Sequence, residues 1–223
     1  MLLGVVCSVC LAAPPGTLVR SEAPQRAPEL RLVSSQPESI LVERTAQAVA
    51  RHPAAVEVGN EPNLPRYWGA TITPSSYVQI YTRARNAARW VDPNVPVISA
   101  GIADTPGWKT WIKTIAGVQP DAIGLHPYLT PTESTRWTMR FGRVAVTEVG
   151  VGKENVTEDY RRQYLQGVVS SLRRLGAWMT VLYSLDDPAW SLPTGLDLRP
   201  RAHRKAPLSS SWRSRSWGIA SRR

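Results

Sequence analysis

Residues 54–63 read Ala-Ala-Val-Glu-Val-Gly-Asn-Glu-Pro-Asn, and the rest of the chain is organised around them. The first half of this stretch is short, Val-rich and strand-like, and it turns polar at Asn60 and Glu61. Three later segments have the same form. Residues 121–128 run from an apolar core into His126-Pro127-Tyr128. Residues 143–150 run through Val-Ala-Val into Thr147-Glu148-Val149-Gly150. Residues 177–187 end in Tyr183-Ser184-Leu185-Asp186-Asp187, with Trp190 shortly after. Residues 95–99 supply one more apolar strand.

Working outward, helical periods separate these strands. Residues 75–91 place Tyr77, Ile80, Tyr81, Ala84, Ala88 and Val91 on one face, and Asp92-Pro93-Asn94 breaks the pattern. Residues 38–51, 107–116 and 157–175 read as further helices. Strands alternating with helices imply parallel pairing through right-handed crossovers, with helices covering the sheet. Parallel strands covered in this way are apolar on both faces, as these are. In such folds functional groups collect at the carboxyl ends of the strands, where the four polar segments fall.

Two of those ends carry a glutamate. Glu61 and Glu148 lie 87 positions apart, yet two strands of one barrel can face each other across its mouth. Glycoside hydrolysis needs such a pair, one carboxyl to protonate the leaving oxygen and one to attack or to direct water. The pair needs unlike environments, so that one is protonated while the other is ionised.

The ordered set V-x-V-G-N-E-P-N, G-L-H-P-Y, V-T-E-V-G and Y-S-L-D-D, spanning about residues 38–197, resembles the large (β/α)8 TIM-barrel clan of retaining glycosidases that includes cellulases, β-mannanases, xylanases and β-xylosidases. The resemblance implies Glu61 as acid/base at the fourth strand and Glu148 as nucleophile at the seventh. It further implies Asn60 as the residue that bonds the sugar 2-hydroxyl. His126 and Tyr128 would line the site, the Tyr bonding the nucleophile, and Trp190 would offer a platform to a sugar ring. Trp68, in the loop after Glu61, is a further residue to line a sugar subsite. Trp108 and Trp111, at helical spacing, read as packing. The resemblance implies a carbohydrate substrate and no metal or organic cofactor. The family within the clan is not resolved by these motifs.

The chain departs from that pattern in three places. A barrel of this type runs to about 250 residues, and counting back from Glu61 makes residues 2–10 the third strand. The fold expected is therefore an incomplete barrel showing strands 3–8, with the first two βα units missing. Residues 12–37 read as a long loop. Only 14 residues separate Tyr128 from Arg143, so the helix between them is short or absent. Residues 1–197 are then a partial catalytic barrel and 198–223 a basic tail without apolar period, whose composition is that of an unstructured segment. Start and tail together point to a truncated copy of a longer gene.

The net charge of +10 looks like a nucleic-acid signal until it is located. All 17 acids and 19 of the 27 bases precede residue 199, and the other eight bases lie in 199–223 without a single acid. The basicity belongs to the tail, and the reading includes neither a nucleic-acid nor a membrane partner. Residues 1–13 are too short to span a bilayer, which takes about 20 apolar residues. They lack the basic start of a secretory signal and read better as a strand. Cys7 and Cys10 have no second pair to complete a zinc site and read as small buried residues. A rival function keeps the same residues without catalysis: an inert or carbohydrate-binding remnant of such an enzyme.

Overall fold

The helices start and stop where their sequences direct. Thr73 and Thr157 each accept a hydrogen bond from the amide three residues on, Ser76 and Tyr160, and so cap the two longest helices. Gly176, at φ 88°, ends the second of them in the left-handed conformation that glycine adopts without strain. In this computed structural model the residues described are 30–33, 38–68, 72–154, 156–183, 189–190, 192–196 and 198.

Among the described residues, six parallel strands form one sheet in strict chain order. They are β1 (Leu30–Val33), β2 (Ala55–Asn60), β3 (Val97–Ala103), β4 (Ile123–His126), β5 (Val144–Val149) and β6 (Met179–Leu182). The crossovers hold α1 (Glu38–Val49), the short α2 (Pro65–Trp68), α3 (Pro74–Val91), α4 (Trp108–Ala116), α5 (Pro131–Thr138) and α6 (Glu158–Leu175). This is a curled, partial (β/α) barrel. Val56, Val58, Ala100, Ile102, Val144 and Val146 face the helices and join Leu41, Tyr77, Tyr81, Ile112 and Leu172 in the main core. Ala55, Ile98, Ala122, Ala145, Met179 and Val181 form a second, smaller apolar cluster. Trp108 packs edge-on against Trp137, and Trp111 lies against Tyr77.

Two expectations change. The strand beside β2 is Leu30–Val33, in register from Leu30↔Ala55 to Val33↔Val58, whereas that place was assigned to residues 2–10. Those residues lie outside the described ones, as does the tail from 199. Residues 12–37 are accordingly not all loop. A four-residue strand has too little period of its own to be seen in sequence and owes its form to pairing with β2. The helix after Tyr128 exists and is short, eight residues from Pro131. At the other end the chain still packs at Leu198, whose carbonyl accepts from Arg173 Nη1 at 2.6 Å.

Irregularities gather at the carboxyl ends of the strands. The β3–β4 pairing shifts by one residue between Ile98↔Ala122 and Ile102↔Leu125, a bulge. Side chains also bridge neighbouring strands near this point. Tyr77 Oη donates to Val58 O at 2.8 Å and accepts from Ala100 N at 2.5 Å. Ser99 Oγ accepts from Gly124 N at 3.0 Å. The bulged end of β3 lies beside Glu61, whose amide donates to Gly101 O at 3.1 Å.

Candidate active site

Glu61 is placed by an unusual piece of backbone. Gly59 has φ 93°, and a Cβ there would run into the Trp68 ring. Two residues later Glu61 itself sits at φ 42°, a left-handed conformation costing a non-glycine about 1–3 kcal/mol. The following loop is fixed from two sides. Asn63 clasps the end of β3, donating to Ala103 O at 2.8 Å and accepting from Ala103 N at 3.2 Å. Trp68 Nε1 donates to Asn60 O at 2.7 Å.

Beside Glu61 lies His126, fully buried at the end of β4. Its Nδ1 is 3.1 Å from Glu61 Oε1 and 3.5 Å from Glu148 Oε2. The two carboxylate oxygens that share this nitrogen can therefore be no farther apart than the sum of those distances, about 6.6 Å. On the opposite edge of the ring, Nε2 lies 3.1 Å from Thr147 Oγ1 and 3.7 Å from Glu57 Oε1. The ring occupies the space that a side chain at position 101 would fill, so Gly101 makes room for it.

Glu148 is the more open of the pair, its side chain 20% exposed against 4% for Glu61. Tyr128 Oη donates to Glu148 Oε1 in a short hydrogen bond. Trp190 stands edge-on to both Tyr128 and Tyr183, with ring centroids 5.6 and 5.9 Å away. These groups wall a cavity of about 410 Å³, together with Arg66, Tyr67 and Asp104, a size suited to a small ligand. Arg66 Nη2 holds Glu61 Oε2 at 3.1 Å, and its guanidinium lies over the Tyr67 ring. Asp104 accepts from the amides of Leu129 and Thr130 and from Ser134 Oγ, which anchors the segment after Tyr128.

The two carboxyls have unlike electrostatics. Burial opposes ionisation of Glu61, but the bonds and charges of His126 and Arg66 outweigh it and hold this carboxyl below its usual range. For Glu148 burial prevails. The charge of His126 and the bond from Tyr128 offset it only in part, while Glu61 and Glu57 add repulsion, so its pKa is raised. Burial alone would lower His126; the nearby carboxylates of Glu57, Glu61 and Glu148 instead raise it to about 10. Tyr128 is pushed up by burial and by the negative charge of Glu148.

Of the residues expected from sequence, Glu61, Glu148, Tyr128 and Trp190 line one cavity, and His126 joins the two carboxylates from below. Asn60 lies next to Glu61, and its Oδ1 is buried without a hydrogen-bond partner. Trp68 does not line the cavity. It is buried, edge-on to Tyr77, and supports the loop from beneath; the aromatic at the rim is its neighbour Tyr67, 44% exposed. Sequence reasoning missed Glu57, Arg66, Tyr67, Asp104 and Thr147. Glu57 had a readable signal: a charged residue between valines, in a strand covered on both sides, has to find buried partners. Among the described residues, no group of three or more His, Cys, Asp or Glu could hold a metal ion, and no helix is long and apolar enough to cross a membrane.

Comparison with known proteins bears on the fold. No profile of a known protein family matches the chain, and no curated protein does. Solved structures do match. One is a GH128 (subgroup VI) exo-β-1,3-glucanase from Aureobasidium namibiae, with TM-score 0.52 and 19% identity, over 74% of this chain and 70% of that one. Another is the GH39 enzyme from Xanthomonas axonopodis pv. citri, with TM-score 0.50 and 15% identity, over 66% and 37%. A monomeric β-xylosidase from Caulobacter crescentus gives 0.50 and 14%, over 66% and 38%. The chain thus spans little more than a third of the length of the last two. At these identities the likeness is one of fold: the chain is built as part of a (β/α) barrel of the kind found in glycoside hydrolases.

Proposed function

We propose that the protein hydrolyses β-glycosidic bonds by a retaining double displacement, with Glu61 as acid/base and Glu148 as nucleophile. The observation that carries this reading is that both carboxylates line a single cavity and lie within 3.5 Å of one buried histidine nitrogen. Retaining enzymes keep their carboxyl groups roughly 5–5.5 Å apart, inverting ones about 6.5–9.5 Å. The upper bound of about 6.6 Å favours the former. In the first step Glu148 bonds to the anomeric carbon as the glycosidic oxygen leaves with a proton from Glu61. In the second, water gives a proton back to Glu61 and displaces Glu148, which leaves with its electron pair. Trp190 and Tyr67 can flank a ring, while Asn60 Oδ1, buried without a partner, reaches a sugar hydroxyl only if its side chain turns into the cavity.

The site holds Glu61 as the more acidic of the two, which is the reverse of what the first step needs. Arg66 is the adjustable element. Its side chain is 67% exposed and reaches Glu61 from the four-residue α2. A sugar that displaces Arg66 and water from Oε2 removes a cation and deepens burial, and both changes raise the Glu61 pKa. The vacated oxygen is then the one to carry the transferable proton.

The test is turnover of a panel of aryl β-glycosides, with the anomeric configuration of the first product read by NMR. Retention is expected, and Glu148→Gln is expected to reduce turnover at least about a thousandfold with an unchanged melting transition. Inverted product, or full activity in that variant, refutes the assignment. The second reading, a carbohydrate-binding remnant without turnover, draws on the open sheet: among the described residues β1 and β6 each pair on one side only. It predicts saturable sugar binding by calorimetry with no product.

A further inference from the structure

Below the cavity lies a third carboxylate that the reaction as written does not use. Glu57 is 2% exposed, three residues before Asn60 on β2. Its Oε1 accepts from Gly101 N at 2.6 Å and from Thr147 Oγ1 at 2.7 Å. Thr147 thus spends its only hydroxyl proton on Glu57. Its oxygen, 3.1 Å from His126 Nε2, can then only accept, so Nε2 must carry a proton. On the other side of the ring Nδ1 faces Glu61 Oε1 at 3.1 Å and Glu148 Oε2 at 3.5 Å. Ionised carboxylates only accept as well, so Nδ1 must also carry a proton. A ring with both nitrogens protonated is an imidazolium.

We propose that Glu57 is a positioning residue that acts through Thr147 to hold His126 as an imidazolium between Glu61 and Glu148. The cation offsets the repulsion of two carboxylates crowded into one pocket, and the Thr147 bridge fixes the ring plane so that Nδ1 faces both. This role rests on the reading of Glu61 and Glu148 as the reacting pair, although the chain of hydrogen bonds itself does not. The charged and titratable groups around the ring are Glu57 and Glu61 from β2 and its end, and Glu148 from β5. Tyr128, on the Glu148 side, and Arg66, beyond Glu61, complete the set. The groups named within 4 Å of the ring nitrogens are carboxylates and one acceptor hydroxyl oxygen.

The experiment reads the ring directly. The chain has three histidines, so replacing His52 and His203 with Gln leaves His126 as the sole imidazole signal in the 15N-labelled full chain. Both ring nitrogens are expected to stay protonated through pH 8 and to titrate near 10. In Glu57→Gln the proton should leave at lower pH, so that the ring is neutral at pH 8. Thr147→Val should move the titration the same way and Thr147→Ser should restore it, which tests the link if Glu57→Gln does not fold. A neutral ring at pH 7 in the parent, or titrations in Glu57→Gln or Thr147→Val that superimpose on it, overturns the proposal. In an active protein, Glu57→Gln should also lower kcat on the order of tenfold or more, affecting KM less, and narrow the pH profile from its alkaline side. A ring that titrates as expected in a protein without turnover leaves the hydrogen-bond chain standing and sinks the glycosidase reading alone.

Discussion

The ends of β2 and β5 deliver the same functional group into the same cavity and treat it in opposite ways. Glu61 arrives on strained backbone, almost wholly covered, with His126 and Arg66 both bonded to it. Glu148 arrives on β5 where its pairing with β6 shifts register between Val146 and Val149, a fifth exposed, with a neutral phenol as its closest donor. Burial raises both carboxyls, and only the two cations around Glu61 reverse the outcome there. Acidity in this pocket is therefore set by which donors each strand end can reach rather than by depth, and the order of the two groups can be changed without moving either strand.

Mutations at each end should separate the two cases. After loss of Glu148, the largest effect should come from Glu61→Gln. With a substrate whose leaving group is a poor one, the rate should fall about 10²–10⁴-fold, and with an activated aryl leaving group far less. Equal losses on the two substrates would mean that Glu61 is not the proton donor. Tyr128→Phe comes next. Removing the phenol takes away a bond that lowers the Glu148 pKa, so the acid limb of kcat/KM should move to higher pH. The loss at the optimum should be about tenfold or more, as expected for a hydrogen bond to a charged group. The smallest effect belongs to Arg66→Ala. Glu61 loses a cation and its pKa rises, so the alkaline limb should shift upward, with little change in melting temperature because the side chain is largely exposed. A downward shift would contradict the part given to Arg66.

What the sequence revealed and what it hid divide along physical lines. Glu61, His126, Tyr128 and Glu148 could be read because each follows a Val- or Ile-rich run directly, and the carboxyl end of a covered parallel strand is where such groups converge. Glu57 hid inside the run that made Glu61 visible. Its importance depends on side-chain direction and on Thr147, 90 positions away. Arg66 and Tyr67 sit on one turn of helix in a loop, and their aim into the cavity depends on how Asn63 and Trp68 tether that loop. Trp68 misled because an aromatic beside a site can either face the ligand or support the wall, and only the Asn60 carbonyl that it bonds decides between the two. β1 was hidden by brevity, since four residues do not establish a period.

The strictly sequential order of the strands has a consequence for synthesis. Each strand finds its neighbour already made, so the sheet can grow from one side as the chain leaves the ribosome. A nascent chain exposed only as far as α5 already carries Glu57, Glu61 and His126, yet lacks Thr147, which directs the imidazole, and Glu148, which would react. In the proposed reaction, chemistry therefore waits for the fifth strand to dock, since a chain arrested earlier carries only one of the two carboxylates.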